Sequence, residues 1–165
     1  MENNLEKFYQ YYDMEINVCD GKRKEFLEAM KADLKPCKVV SVRELFTEEQ
    51  VRIMESMVEL KQCFKNAYNL ADIMSHPDGH VTYVEGRVLV ANFLPIEHAW
   101  NKVGDLYFDA TFELCLGYDV TKELYASLAE YDVSHVRKVL FDRRYYGEIY
   151  RDEKAMEFAK KNKMI

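Results

Sequence analysis

His98 and Asp109 flank a Gly104-Asp105 pair inside a run of apolar and aromatic residues from Pro95 to Thr111. Gly-Asp suits the φ > 0 positions of a two-residue turn, so the run reads as a β-hairpin. If Val103 faces Leu106, then Trp100 faces Asp109 and His98 faces Thr111, and these four side chains share one face. His98 and Asp109 become diagonal neighbours, about 7–8 Å apart at the backbone, which an imidazole and a carboxylate can span by leaning together. Such a carboxylate sets the tautomer of the ring and holds it as a base.

A base needs a proton to take, and the segment Lys61-Gln62-Cys63-Phe64-Lys65-Asn66-Ala67 offers a thiol. A free thiol has a pKa near about 8.5, so an imidazole that accepts its proton makes a far better nucleophile at neutral pH. The elements upstream decide where that thiol sits. Thr47-Glu48-Glu49-Gln50 is a capping box and starts a helix whose apolar stripe runs through Val51, Met54, Met57 and Val58. The stripe then breaks at Lys61-Gln62 and resumes out of phase at Cys63, Phe64, Ala67, Leu70, Ala71 and Met74. A bend near Leu60 followed by a new helix puts Cys63 in the first turn, where the positive helix end favours a thiolate. An unbroken helix from Thr47 to Met74 would instead make Cys63 a small buried apolar residue.

With a thiolate in place, attack on a carbonyl gives an acyl-enzyme, and the oxygen that gains charge needs hydrogen-bond donors. The backbone amides of Cys63 and Phe64 are the candidates, with Gln62 as a helper. Trp100, on the face of His98 and Asp109, either shields the ion pair from water or walls a substrate groove.

The runs "QCFKNA", "YVEG" and "EHAWNKVGDLYFDAT" resemble the transglutaminase-like branch of the papain-like cysteine-enzyme superfamily. In that family a Cys at a helix start precedes a His on one strand and an Asp on the next. The resemblance covers roughly residues 58 to 112 and implies Cys63 as nucleophile, His98 as general base and Asp109 as orienting acid. Its hairpin half is the more specific. The Cys half departs from the pattern, with Lys61-Gln62 where a Gly is frequent, Phe64 where a Trp is frequent, and Ala110 in place of a Pro.

Length and composition bound the alternatives. At 165 residues and 48% apolar, the chain can bury one good core. A net charge of −6 without a Lys/Arg block argues against nucleic acid as the main partner. No run approaches a membrane span, and Met1 to Glu6 lacks a signal-peptide pattern, so a cytoplasmic protein with no membrane partner is expected. Cys19, Cys37, Cys63 and Cys115 lack metal or disulfide spacing and are expected to be free thiols. His76 and His80, with Asp78 between them, sit around Pro77 and Gly79 and read as a solvated loop rather than a metal site. Glu97 points away from His98 on a regular strand and reads as a surface charge. Twelve tyrosines are better explained by half-buried packing than by a groove.

The remaining elements frame the site. Lys22 to Leu34 has helical spacing that Pro36 ends, and Lys38 to Val42 suggests a short strand. His80 to Ala91 reads as a strand in which Gly86 marks a bulge or a close backbone approach. Phe112 to Cys115 would continue the hairpin, Val133 to Tyr146 is helix-like, and Asp152 to Lys161 is amphipathic. The expected fold is therefore α+β, papain-like or transglutaminase-like. It forms a single domain over residues 1–165, with helical elaborations at about 1–46 and 117–165.

The expected function is a cofactor-free cysteine hydrolase or acyltransferase using a Cys63-His98-Asp109 triad. Its substrate would be a protein, a peptide or a small amide, with hydrolysis by a peptidase, isopeptidase or amidase ahead of amine transfer. A transglutaminase or glutamine deamidase would share the triad, and a non-catalytic binding module would share only the fold. A buried His bonded to a carboxylate is also a common core feature, which is the bland account of His98 and Asp109.

Overall fold

The structure is a computed structural model and describes residues 5–165. Five strands form one antiparallel sheet in the order β1-β7-β4-β5-β6. They are β1 (Lys35–Cys37), β4 (Thr82–Leu89), β5 (Pro95–Val103), β6 (Leu106–Phe108) and β7 (Leu124–Tyr131); β2 (Ser75–His76) and β3 (Gly79–His80) make a separate small hairpin. The sheet curls until its ends meet. The Tyr107 amide of β6 donates to Lys38 O at 3.1 Å, and the Val40 amide donates to Tyr107 O at 2.9 Å.

Side chains divide by face. Val84, Val88, Trp100, Tyr125, Phe112 and Val120 pack together on one side of the sheet. On the other, Tyr83, Ala99 and Val103 pack against α4 (Glu48–Met57), α5 (Cys63–Ile73) and α6 (Val133–Arg143). Leu89, Ala126 and Leu128 pack against α1 (Glu6–Asn17) and α2 (Gly21–Asp33). The short α3 (Val42–Leu45) and the last helix, α7 (Tyr150–Lys161), complete the chain. The result is an α+β fold of helices on a curled antiparallel sheet. Among the described residues no helix is long and apolar enough to cross a membrane.

Several local expectations hold. The Thr47 capping box is formed in full, with Gln50 N–H on the Thr47 hydroxyl and the Thr47 amide on the Gln50 side chain. Val103 pairs with Leu106 around Gly104, whose φ is +58°. At Gly86 the β4–β7 register shifts, and a Cβ there would lie 2.1 Å from Ala126 O and 2.8 Å from the Trp100 ring. Only glycine lets β7 and the indole close on that point.

Other expectations are corrected. The hairpin ladder ends at Asn101–Phe108, so His98 does not face Thr111 and Trp100 has no partner at Asp109. Beyond Phe108 the chain turns into a π-helical segment, Thr111–Cys115, instead of continuing as a strand. The strand expected at Lys38–Val42 lies earlier, at Lys35–Cys37, because Ser41 caps α3 and only Val39 bridges to Tyr107. The region 117–165 is more than a helical elaboration, since it supplies β7 between β1 and β4. His76 is not solvated: its Nε2 meets Leu45 O at 2.8 Å, and its side chain is largely buried.

Candidate active site

Cys63 is the first residue of α5, after a break in which Lys61 takes a left-handed φ of 63°. That conformation costs a non-glycine residue about 1 kcal/mol or more and persists only where neighbours impose it. Asn66 imposes it. Its Oδ1 accepts from the Glu59 amide at 3.0 Å, and its Nδ2 donates to Glu59 O at 2.8 Å and to Thr111 Oγ1 at 3.0 Å. One buried amide thus ties the loop before the thiol to the turn after Asp109. On the next turn, Asn101 Nδ2 of β5 donates to Ala67 O at 2.8 Å and fixes α5 on the sheet. Among the described residues, no acceptor takes the amide hydrogens of Cys63 or Phe64. They remain available as donors at the positive end of the helix.

The base arrives from the other side. Because β6 pairs with β5 only over Asn101–Val103, the His98 end of β5 is left for the turn that follows. Asp109 holds that turn by accepting the Phe112 amide on Oδ1 at 3.1 Å. Its Oδ2 lies 2.7 Å from His98 Nε2 and accepts the Tyr125 hydroxyl, also at 2.7 Å. The imidazole stacks on Phe112 with centroids 4.0 Å apart and, less closely, on Trp100 at 6.1 Å. His98 and Asp109 are 3% and 1% exposed, whereas Cys63 is half-buried.

With Nε2 committed to Asp109, Nδ1 is the ring nitrogen left to face another group, and Cys63 is near enough to act on the charge of the ring. Burial alone would push the imidazolium toward its neutral form. Asp109 and then Cys63 outweigh that and raise the His98 pKa to about 10. The corner therefore favours a protonated ring.

The other expected site residues fare unevenly. Phe64 packs half-buried against the helical core. Gln62 is exposed, sits at the N-cap and makes no capping bond, so its side chain is not organised as an oxyanion donor in this structure. Trp100 is 1% exposed beneath Gly86, and its indole N–H has no acceptor among the described residues. It therefore shields the imidazole and does not wall a groove. Glu97 is a surface charge as expected, paired with Arg151. The other cysteines are also unbridged. Burial pushes the Cys37 thiol up to about 11 and raises that of Cys115, which keeps both protonated at neutral pH.

Three residues at the site were not singled out from the sequence: Tyr125, Phe112 and Asn66. Asn66 carried a signal, a polar residue on the buried stripe between Cys63, Ala67 and Leu70. Tyr125 carried none, since it reaches Asp109 only because β7 returns to the middle of the sheet. No cluster of three metal-ligating side chains occurs among the described residues. Compared with known proteins, the chain matches no family model, no curated protein and no solved structure, and the chemistry of this corner rests on its own geometry.

Proposed function

We propose that this chain is a cysteine-dependent acyl-transfer enzyme of papain-like, transglutaminase-like type that acts on an amide bond, with water as the usual acceptor. The observation that carries the reading is the buried His98 ring, held by Asp109 on one nitrogen, with a half-buried thiol at the start of α5 near enough to raise the pKa of the ring. A structural His–Asp pair needs no half-exposed thiol at a helix start. In the proposed reaction the Cys63 thiolate attacks the amide carbonyl while the Cys63 and Phe64 amides receive the oxyanion. Protonated His98 then gives its proton to the departing amine. It next takes a proton from water, and the resulting hydroxide equivalent releases the acyl group as a carboxylic acid. Asp109 keeps the ring oriented throughout, and Phe112 and Trp100 exclude water from its faces.

Iodoacetamide tests this directly. At pH 7, Cys63 is expected to be modified faster than Cys19, Cys37 and Cys115 by about 100-fold, and His98→Ala to remove most of that advantage. Equal rates at the four thiols would leave only a fold with a buried ion pair, the arrangement of a binding module. A glutamine peptide with a dansylated amine then separates the acceptors: incorporation of the amine indicates a transglutaminase, and release of ammonia alone indicates deamidation.

A further inference from the structure

The end of α6 and the segment leading to α7 present three aromatic rings to solvent within six residues: Phe141, Tyr145 and Tyr146 are 70%, 56% and 44% exposed. Apolar rings this exposed and this close in sequence mark a contact surface when the backbone beneath them is rigid. Here it is rigid. Arg143 binds the carbonyls of Tyr145, Gly147 and Glu148, and its guanidinium lies 4.3 Å from the centroid of the Tyr145 ring. Arg144, at φ 66°, lays its guanidinium 5.1 Å from the centroid of Phe141.

Charge gives the surface a sign. The chain as a whole carries −6, yet residues 137 to 146 hold four basic side chains and one acidic one. Arg137 and Arg143 are paired with Asp72 and Asp152, whereas Arg144 and Lys138 make no ion pair among the described residues. Position links the surface to the thiol. The Tyr146 ring lies 6.3 Å from that of Tyr68, on the second turn of the helix that Cys63 begins.

Building on the acyl-transfer reading, we propose that the Phe141–Tyr146 surface docks an acidic segment of the substrate that also carries an apolar side chain, flanking the amide delivered to Cys63. The carboxylates of that segment meet Arg144 and Lys138, and its apolar side chain packs on the exposed rings. Both contacts persist in a partly wet interface, where arginine and tyrosine contribute most per residue.

Two N-chloroacetyl peptides test it, one with Phe beside three Asp/Glu residues and a matched one with three Lys/Arg residues. The Cys63 thiolate displaces chloride from either, and the ratio of the two rates reads the surface. At low salt the acidic peptide is expected to react about tenfold faster, with the ratio falling as salt is added. Arg144→Glu should shrink the ratio toward one. Arg144→Gly, which suits the left-handed backbone and removes the charge, should shrink it partway. A ratio near one in the parent protein, or a high ratio that neither substitution lowers, overturns the proposal; in the second case the His98 charge alone would account for it. Failure of iodoacetamide to single out Cys63 refutes the acyl-transfer reading instead. In that event, calorimetric titration with the acetylated acidic peptide still tests the surface, and binding that ignores Arg144 overturns it.

Discussion

Two buried carboxylates in this protein are bonded in parallel ways and have different consequences. Asp109 accepts a tyrosine hydroxyl, a backbone amide and the His98 ring. Glu85 accepts the Tyr83 hydroxyl at 2.7 Å and the amides of Ile149 and Tyr150, which begin the last helix. The donors of Glu85 all stay neutral, and burial pushes its pKa up to about 7 even though those bonds oppose the shift. One donor of Asp109 can take up a proton, and the charge appears there, with His98 raised to about 10. A buried carboxylate becomes chemically useful when a neighbour can gain charge against it; bonded only to neutral groups, it is an anchor.

Asp109→Asn would break the contrast most sharply. It keeps the size of the side chain and removes the charge, and Cys63 alkylation at pH 7 is expected to slow by about 100-fold or more. An alkylation rate left nearly as fast as the parent's would make Asp109 an anchor like Glu85.

Glu85→Gln should show the opposite profile, an unchanged alkylation rate at pH 7 with about 2 kcal/mol lost in urea denaturation near pH 4.5, where the contribution of the buried carboxyl is full. The pH dependence sharpens this. Because the folded pKa of Glu85 lies above its ordinary value of 4.5, its contribution is full below 4.5 and is lost as pH rises to about 7. His98 has the same sign in another window, its contribution being full below 6.5 and lost as pH rises toward about 10. Denaturation midpoints of the Gln variant should lack the first decline and keep the second.

The smallest effect belongs to Tyr125→Phe. Loss of one hydroxyl from Asp109 is expected to slow alkylation by about fivefold and cost about 1 kcal/mol of stability. If the rate stays unchanged while stability falls, Tyr125 serves packing alone.

Much of this corner could be read in advance because its signals are local. The phase slip at Lys61-Gln62 allowed either a new helix at Cys63 or an unbroken one from Thr47, and the structure shows the first, with α5 beginning at Cys63. The Gly104-Asp105 turn announced the register of Val103 and Leu106. What failed was the extension of that register. Asp109 bonds the Phe112 amide with its own side chain, an alternative to the strand ladder that turns the backbone away. His98 still meets Asp109, but at the end of a turn instead of across a ladder.

The amino-acid sequence by itself determined the chemical groups, the phase slip in the apolar stripe ahead of the thiol, and the turn that returns the chain toward His98. These follow from backbone preferences and periodicities that span a few residues. Tertiary structure alone decided that Tyr125 would hold Asp109, that Phe112 would cover the ring, and that Glu85 would anchor a helix instead of serving a base. The state of a buried ionisable group depends on which distant segments remove its water and which donors they bring, and neither is encoded within a few residues of the group.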